Sequence, residues 1–254
     1  MHKFVMSAKI FAISLMIVLL VNAQGHAGVV VGGTRFIIQQ RDKSTTVSVR
    51  NKSDIPYLVT VRISPGGKWP GAEAPGSAGR SLVVIPPLFA IKPGHEHIIR
   101  LLQAEADLPA DRESLFTLNI ASIPSAHEGS RDVQIAVRSA FKLLYRPEGL
   151  KGNPDRAYRE IRWYYSDEGL IATNPTPYYV TLFHTVINGT PVVNAGVVAP
   201  FGQRKTDWCR RAPRCDIRWQ TLNDAGRVLP MMFQTLHRGT HKPDTNGETP
   251  PPSW

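Results

Sequence analysis

VQIAVRSAFKLLYRP, residues 133–147, reads as a strand along nearly its whole length. Its odd positions are Val133, Ile135, Val137, Ser139, Phe141, Leu143 and Tyr145, and all but Ser139 are apolar or aromatic. The even positions include Gln134, Arg138 and Lys142. Strand side chains alternate between faces with a period of two, so this is the longest strand expected in the chain, with one apolar face. On periodicity alone that face packs the protein's own core. Moving outward, residues 28–50 alternate polar with apolar, most clearly in STTVSVRN at 44–51, and further strands are expected at 57–63, 81–85, 97–102 and 114–123. Downstream the same style returns at 164–165, 170–173, 178–186, 190–198, 218–222 and 228–235.

Turn chemistry separates these runs. Pro86-Pro87 and Lys92-Pro93-Gly94 are turn signals, and the chain carries 21 Pro and 20 Gly. Residues 64–79, rich in Gly, Pro and Ala, read as a long surface loop, and the polar residues 125–132 as a short connection. The Pro, Gly and Lys of 147–154 mark a domain boundary. No amphipathic helix of convincing length is present, and no exact internal repeat. The expectation is an all-β protein of two tandem immunoglobulin-like β-sandwich domains, at 28–148 and 154–239, joined by a linker at 149–153. Residues 240–254 lack apolar periodicity and are expected to be a disordered tail.

The first residues speak to the compartment. Lys3 and Lys9 precede an apolar run at 10–21, and Ala23 and Ala27 follow as alternative last residues before cleavage. That is the pattern of a cleaved secretory signal peptide, residues 1–27. The run is shorter than the ~20 residues a membrane-spanning helix needs. The expectation is an exported protein, leaving about 227 residues, room for two ordinary domains. The formal net charge of +10 comes from residues dispersed along strands and turns. With no basic helix or arm, it reads as a field attracting an anionic protein or surface, not nucleic acid. Cys209 and Cys215, in DWCRRAPRC, are a close pair that reads as a disulfide in an oxidising compartment, contributing roughly 2 kcal/mol by the chain-entropy model.

Little in the sequence suggests catalysis. No nucleophile elbow, phosphate-binding glycine loop or paired-carboxylate motif stands out. His95-Glu96-His97 has too few ligands beside a turn to argue for metal, so neither metal nor cofactor is expected. Asn51-Lys52-Ser53 and Asn188-Gly189-Thr190 match the glycosylation triplet.

Three segments together carry a family resemblance: LPADRESLFTLNIASIPS at 108–125, VQIAVRSAFKLLYRP at 133–147, and NPTPYYV at 174–180. In order and spacing they closely resemble the periplasmic chaperones of the chaperone–usher pathway. Weaker matches run from Thr34-Arg35 to the Asn223-Asp224-Ala225-Gly226 turn. The resemblance implies a non-enzymatic protein that caps pilus subunits and delivers them to an outer-membrane usher, with its domains set in a boomerang. A subunit of that class lacks its last strand, and the chaperone lends one of its own, a form of strand addition. The resemblance makes Val133, Ile135 and Val137 the donor residues, Arg35 and Lys142 the anchor for the terminal carboxylate of the bound subunit, and Glu113, Arg146 and Asp224 a charged network between the domains. Lys142 has the opposite parity to the donor residues, so either it points to the other face or a bulge re-aims it. The short connection at 125–132 resembles the branch of the family that assembles rod-like pili. Self-association of the free chain, hiding its donor strand, stays open. The competing readings are an exported carbohydrate-binding or hydrolytic β-sandwich, or a fimbrial structural subunit.

Overall fold

The computed structural model describes residues 28–42, 44–72, 82–104, 108–125 and 133–239. The expected leader and tail lie outside these residues, as do parts of the 64–79 loop and most of the 125–132 connection. Among the described residues the only helical turns are two short 3-10 turns, at Gln40–Asp42 and Ala157–Arg159.

Nine strands build the first sandwich: β1 (Val29–Val31), β2 (Arg35–Gln39), β3 (Ser44–Asn51), β4 (Tyr57–Pro65), β5 (Leu82–Ile85), β6 (Leu88–Ile91), β7 (Glu96–Gln103), β8 (Ser114–Pro124) and β9 (Val137–Arg146). They form one sheet in the order β1-β3-β7-β5 and another in the order β2-β9-β8-β4-β6. All pairings are antiparallel except that of β2 with β9, which is parallel. Val47, Val49, Ile99 and Leu101 of the first sheet meet Ile38, Val59, Val61, Leu118 and Leu143 of the second in a sealed core.

The second sandwich holds β10 (Arg162–Ser166), β11 (Gly169–Thr173), β12 (Val180–Thr181), β13 (Phe183–Ile187), β14 (Thr190–Pro191), β15 (Val197–Val198), β16 (Gln203–Lys205), β17 (Arg214–Gln220) and β18 (Met232–His237). Its ladders run β10-β11-β16, β12-β15 and β14-β13-β17-β18. Trp163 and Trp219, with ring centroids 5.8 Å apart, centre its core beside Leu170 and Ile217. Trp219 donates its indole N–H to the Tyr158 carbonyl at 3.1 Å. Cys209 and Cys215 are bonded, with Cα atoms 5.9 Å apart, closing the turn that enters β17. The chain thus folds as two immunoglobulin-like β-sandwiches.

One turn device appears in both halves, and its separated copies are too short to register as a repeat in the sequence. The buried Asn51 donates to the Ile55 and Ile91 carbonyls and accepts from the Ser53 N–H and hydroxyl. Asn174 does the same with Tyr178, Val198 and Thr176. The Asn51 triplet is therefore a sealed Asx-type turn.

Several expected strands differ in detail. Residues 178–186 break at Leu182, whose N–H bonds the Gly196 carbonyl instead of a ladder partner, and the β13–β17 register slips between Phe183 and Val186. The expected strand at 190–198 likewise splits into β14 and β15, while β6 and β16 were not anticipated. The longest expected strand enters its ladder at Val137, opposite Ser122 of β8, and not at Val133.

Candidate functional site

From Phe141 onward β9 has two buried faces. Phe141, Leu143 and Tyr145 turn into the first core. Leu144 turns the other way and joins Leu115 and Val197, with Ile37, Trp69, Ala72 and Tyr179 packed around them, in a small apolar cluster between the sandwiches. The ladder from Val137 to Tyr145 on β8 shows no register shift. No bulge re-aims Lys142: it lies on the face opposite Val137 and Phe141, toward the second sandwich.

Parallel pairing places Arg35 of β2 directly beside Lys142 of β9. Arg35 donates from Nη1 to the Leu222 carbonyl at 2.5 Å and more weakly to that of Asn223, while its Nε is buried without a hydrogen-bond partner. Lys142 lines a cleft of about 580 Å³ whose far wall includes Leu182, Phe183, Val186 and Val192. Burial, and then the Arg35 charge, push the Lys142 ammonium down to about 8. Burial also lowers Arg35, against the pull of Asp224 and Glu113. Neither cation forms an ion pair with a described residue. Two desolvated cations side by side are a costly arrangement that an entering carboxylate would relieve.

The other end of β9 is open. β2 begins at Arg35 opposite Lys142, so Val137 to Phe141 pair with β8 on one side and with no described strand on the other. Val133, Ile135 and Val137 are 90%, 73% and 55% exposed, unusual for β-branched residues spaced two apart. The structure thus brings Arg35 and Lys142 together and sets the three apolar residues on the approach to them.

A third constellation ties the sandwiches. Arg146 donates from Nε to Glu113 at 2.6 Å, and from Nη1 and Nη2 to Asp224 of the second sandwich at 2.6 and 2.9 Å. The second Glu113 oxygen accepts the Tyr179 N–H at 2.8 Å, and the Glu113 N–H donates to the Pro177 carbonyl. Burial works against the Arg146 charge, but the Asp224 and Glu113 carboxylates outweigh it and raise its pKa.

Sequence reading missed one component. The 64–79 segment was expected to be a surface loop, yet Trp69 lies in the cleft with its ring centroid 4.2 Å from the Lys142 ammonium. The next residue, Pro70, accepts the Val197 N–H of the second sandwich at 2.9 Å. The usable signal was a lone Trp in a Gly/Pro-rich loop, where an aromatic side chain needs cover. The His95-Glu96-His97 triplet holds no metal constellation among the described residues: Glu96 pairs with Arg50, and His97 stacks on Phe89.

Known proteins share the family and the fold of this chain. Residues 28–151 match the model for "Pili and flagellar-assembly chaperone, PapD N-terminal domain", and residues 156–232 match "Pili assembly chaperone PapD, C-terminal domain". The chain is 44% identical over 219 residues to the uncharacterized fimbrial chaperone YcbF of Escherichia coli K12, covering 86% of this chain and 92% of that protein. It is 34% identical over 226 residues to the chaperone protein FimC of the same strain, covering 87% and 89%. Among solved structures, the SafB chaperone of Salmonella enterica in complex with the SafA pilin aligns with a TM-score of 0.67 at 25% identity, covering 82% of this chain and 96% of that one. The periplasmic chaperone SfaE aligns with a TM-score of 0.64 at 30% identity, covering 81% and 98%.

Proposed function

This chain belongs to the pili-assembly chaperone family, a family of assembly proteins and not of enzymes, and we propose that it caps pilus subunits in the periplasm by lending them residues 133–141, which lead into and open β9, while Arg35 and Lys142 hold the terminal carboxylate of the bound subunit. The observation carrying this reading is the adjacency of the two cations, without an ion-pair partner among the described residues, at the point where the open edge of β9 meets β2. The open stretch lies N-terminal to the anchor along β9. A bound segment whose carboxylate ends at the anchor must therefore run parallel to β9. Its backbone would pair with Val137 to Phe141, and Val133, Ile135 and Val137 would enter the apolar groove of the incomplete subunit, each burial worth roughly 1.5–3 kcal/mol.

The Glu113–Arg146–Asp224 network sets the angle at which the second sandwich faces the anchor. Domain boundaries at 148 and 154, export by a cleaved leader and delivery to an outer-membrane usher complete the proposal. The experiment is co-purification from the periplasm with a subunit of the same host. Wild-type protein should retain the subunit, and folded Arg35→Ala and Lys142→Ala variants should lose it, since truncating one partner of a buried charge pair costs about 2–5 kcal/mol. Equal retention by the variants would reject the anchor.

A further inference from the structure

We infer that Trp69 is a positioning residue for the Lys142 ammonium, held over it by a strap, residues 69–72, that the second sandwich clamps; this rests on the capping function proposed above. Lys142 sits at the end of a flexible four-carbon stem, half-buried, with Arg35 beside it. Nothing in β9 itself would keep that ammonium aimed into the cleft. The Trp69 ring does, at 4.2 Å, because the negative face of an indole attracts a cation most strongly where water is scarce.

What holds the ring in place comes from the other sandwich. The Val197 N–H bonds the Pro70 carbonyl at 2.9 Å. Gly71 and Gly196 meet back to back there with φ of +77° and +81°. A Cβ on Gly71 would collide with the Val197 carbonyl, and one on Gly196 with the Pro70 carbonyl, so the approach requires glycine on both sides. Trp69 and Ala72 then pack on the Leu115, Leu144 and Val197 cluster. The aim of the anchor in the first sandwich is therefore set in part by contact with the second.

The groups facing Lys142 are few. Arg35 lies alongside on β2, and Thr117, uncharged, lies opposite on β8. His184 of β13 lines the same cleft, and Arg204 of β16 stands behind Gly71. Glu113 and Asp224 are engaged by Arg146. Trp69 is thus the neighbour that favours the charged lysine, and a leucine in its place would keep the desolvation while removing the attraction.

The test follows the Lys142 ammonium directly, by NMR titration of full-length protein labelled at the lysine side-chain carbons, in wild type, Trp69→Leu and Trp69→Phe. Trp69→Leu should lower the Lys142 midpoint by about half to one pH unit, and Trp69→Phe should recover most of it. Binding of a peptide that carries the last residues of a pilus subunit and ends in a free carboxylate should weaken about 3- to 10-fold at pH 8 in Trp69→Leu, with its pH profile displaced to lower pH. A folded Trp69→Leu protein whose Lys142 midpoint is unchanged or raised overturns the inference. Should Trp69→Leu not fold, Trp69→Met carries the same expectation. If Arg35→Ala binds the peptide as wild type does, the capping function fails instead, and the titration of the free protein still decides the role of Trp69.

Discussion

Arg35 and Lys142 are register partners on two parallel strands, both turned toward the second sandwich, and the described residues offer neither an ion pair. The free chaperone therefore carries an electrostatic cost at the place where a ligand carboxylate would bind.

That cost should be measurable without any ligand. The folded Lys142 pKa of about 8 lies below its ordinary value of 10.5. The unfolded chain therefore binds more protons between those values, and stability rises with pH across that window. Below pH 8 the full penalty is present. Lys142→Met should stabilise the free protein at pH 7 by about 1–2 kcal/mol, after discounting for partial exposure, and the advantage should shrink toward zero near pH 10.5. Thermal melts of the two proteins across pH check this.

Binding has the opposite dependence. A bound carboxylate holds the ammonium protonated, so the complex has the higher pKa. Affinity should be full below pH 8 and fall as pH rises through it, by up to about tenfold per unit. Calorimetry in buffers of different ionisation heat should show proton uptake on binding at pH 9 and almost none at pH 6.5.

The junction responds differently to its two carboxylates. Glu113 is 2% exposed, and Glu113→Ala leaves Arg146 half-stranded and removes the carboxylate oxygen that accepts the Tyr179 N–H, costing about 3–5 kcal/mol. The more exposed Asp224 should cost less as Asp224→Asn, about 1 kcal/mol, with a widened spread of inter-domain angles. Denaturant melts and small-angle scattering separate the two effects.

Donor residues should be expendable for folding and indispensable for capping. Ile135 and Val137 are largely exposed, so Ile135→Arg or Val137→Arg should change stability by no more than about 0.5 kcal/mol. Each should reduce retention of the pilus subunit at least tenfold, through the lost apolar burial.

Much of this was legible in the sequence, for identifiable reasons. Period-two alternation located β3 and most of β9, because Val47 and Val49 of β3, and Phe141, Leu143 and Tyr145 of β9, turn at every second position into the first core. The opposite parities of Val137 and Lys142 were visible too, and the unbroken β9 ladder shows that they needed no bulge to reconcile them. Short strands were harder: β6 and β16 have four and three residues, too few for a period to register. The break at Leu182 depends on a bond to Gly196, and the strap depends on Pro70 meeting Val197. Both are contacts between distant segments, and local composition encodes neither. Residues 64–79 therefore read as a loop when part of that segment walls the anchor.

The most direct measurement compares two forms of one peptide, the last residues of a cognate pilus subunit, with a free carboxylate and with a terminal amide, titrated against wild-type protein at pH 7. If Arg35 and Lys142 grip the carboxylate, amidation should weaken binding by about 30-fold or more, consistent with ~2 kcal/mol or more for a buried charge contact, and Arg35→Ala should abolish the difference. Equal affinity for the two forms in wild-type protein would contradict the anchor outright.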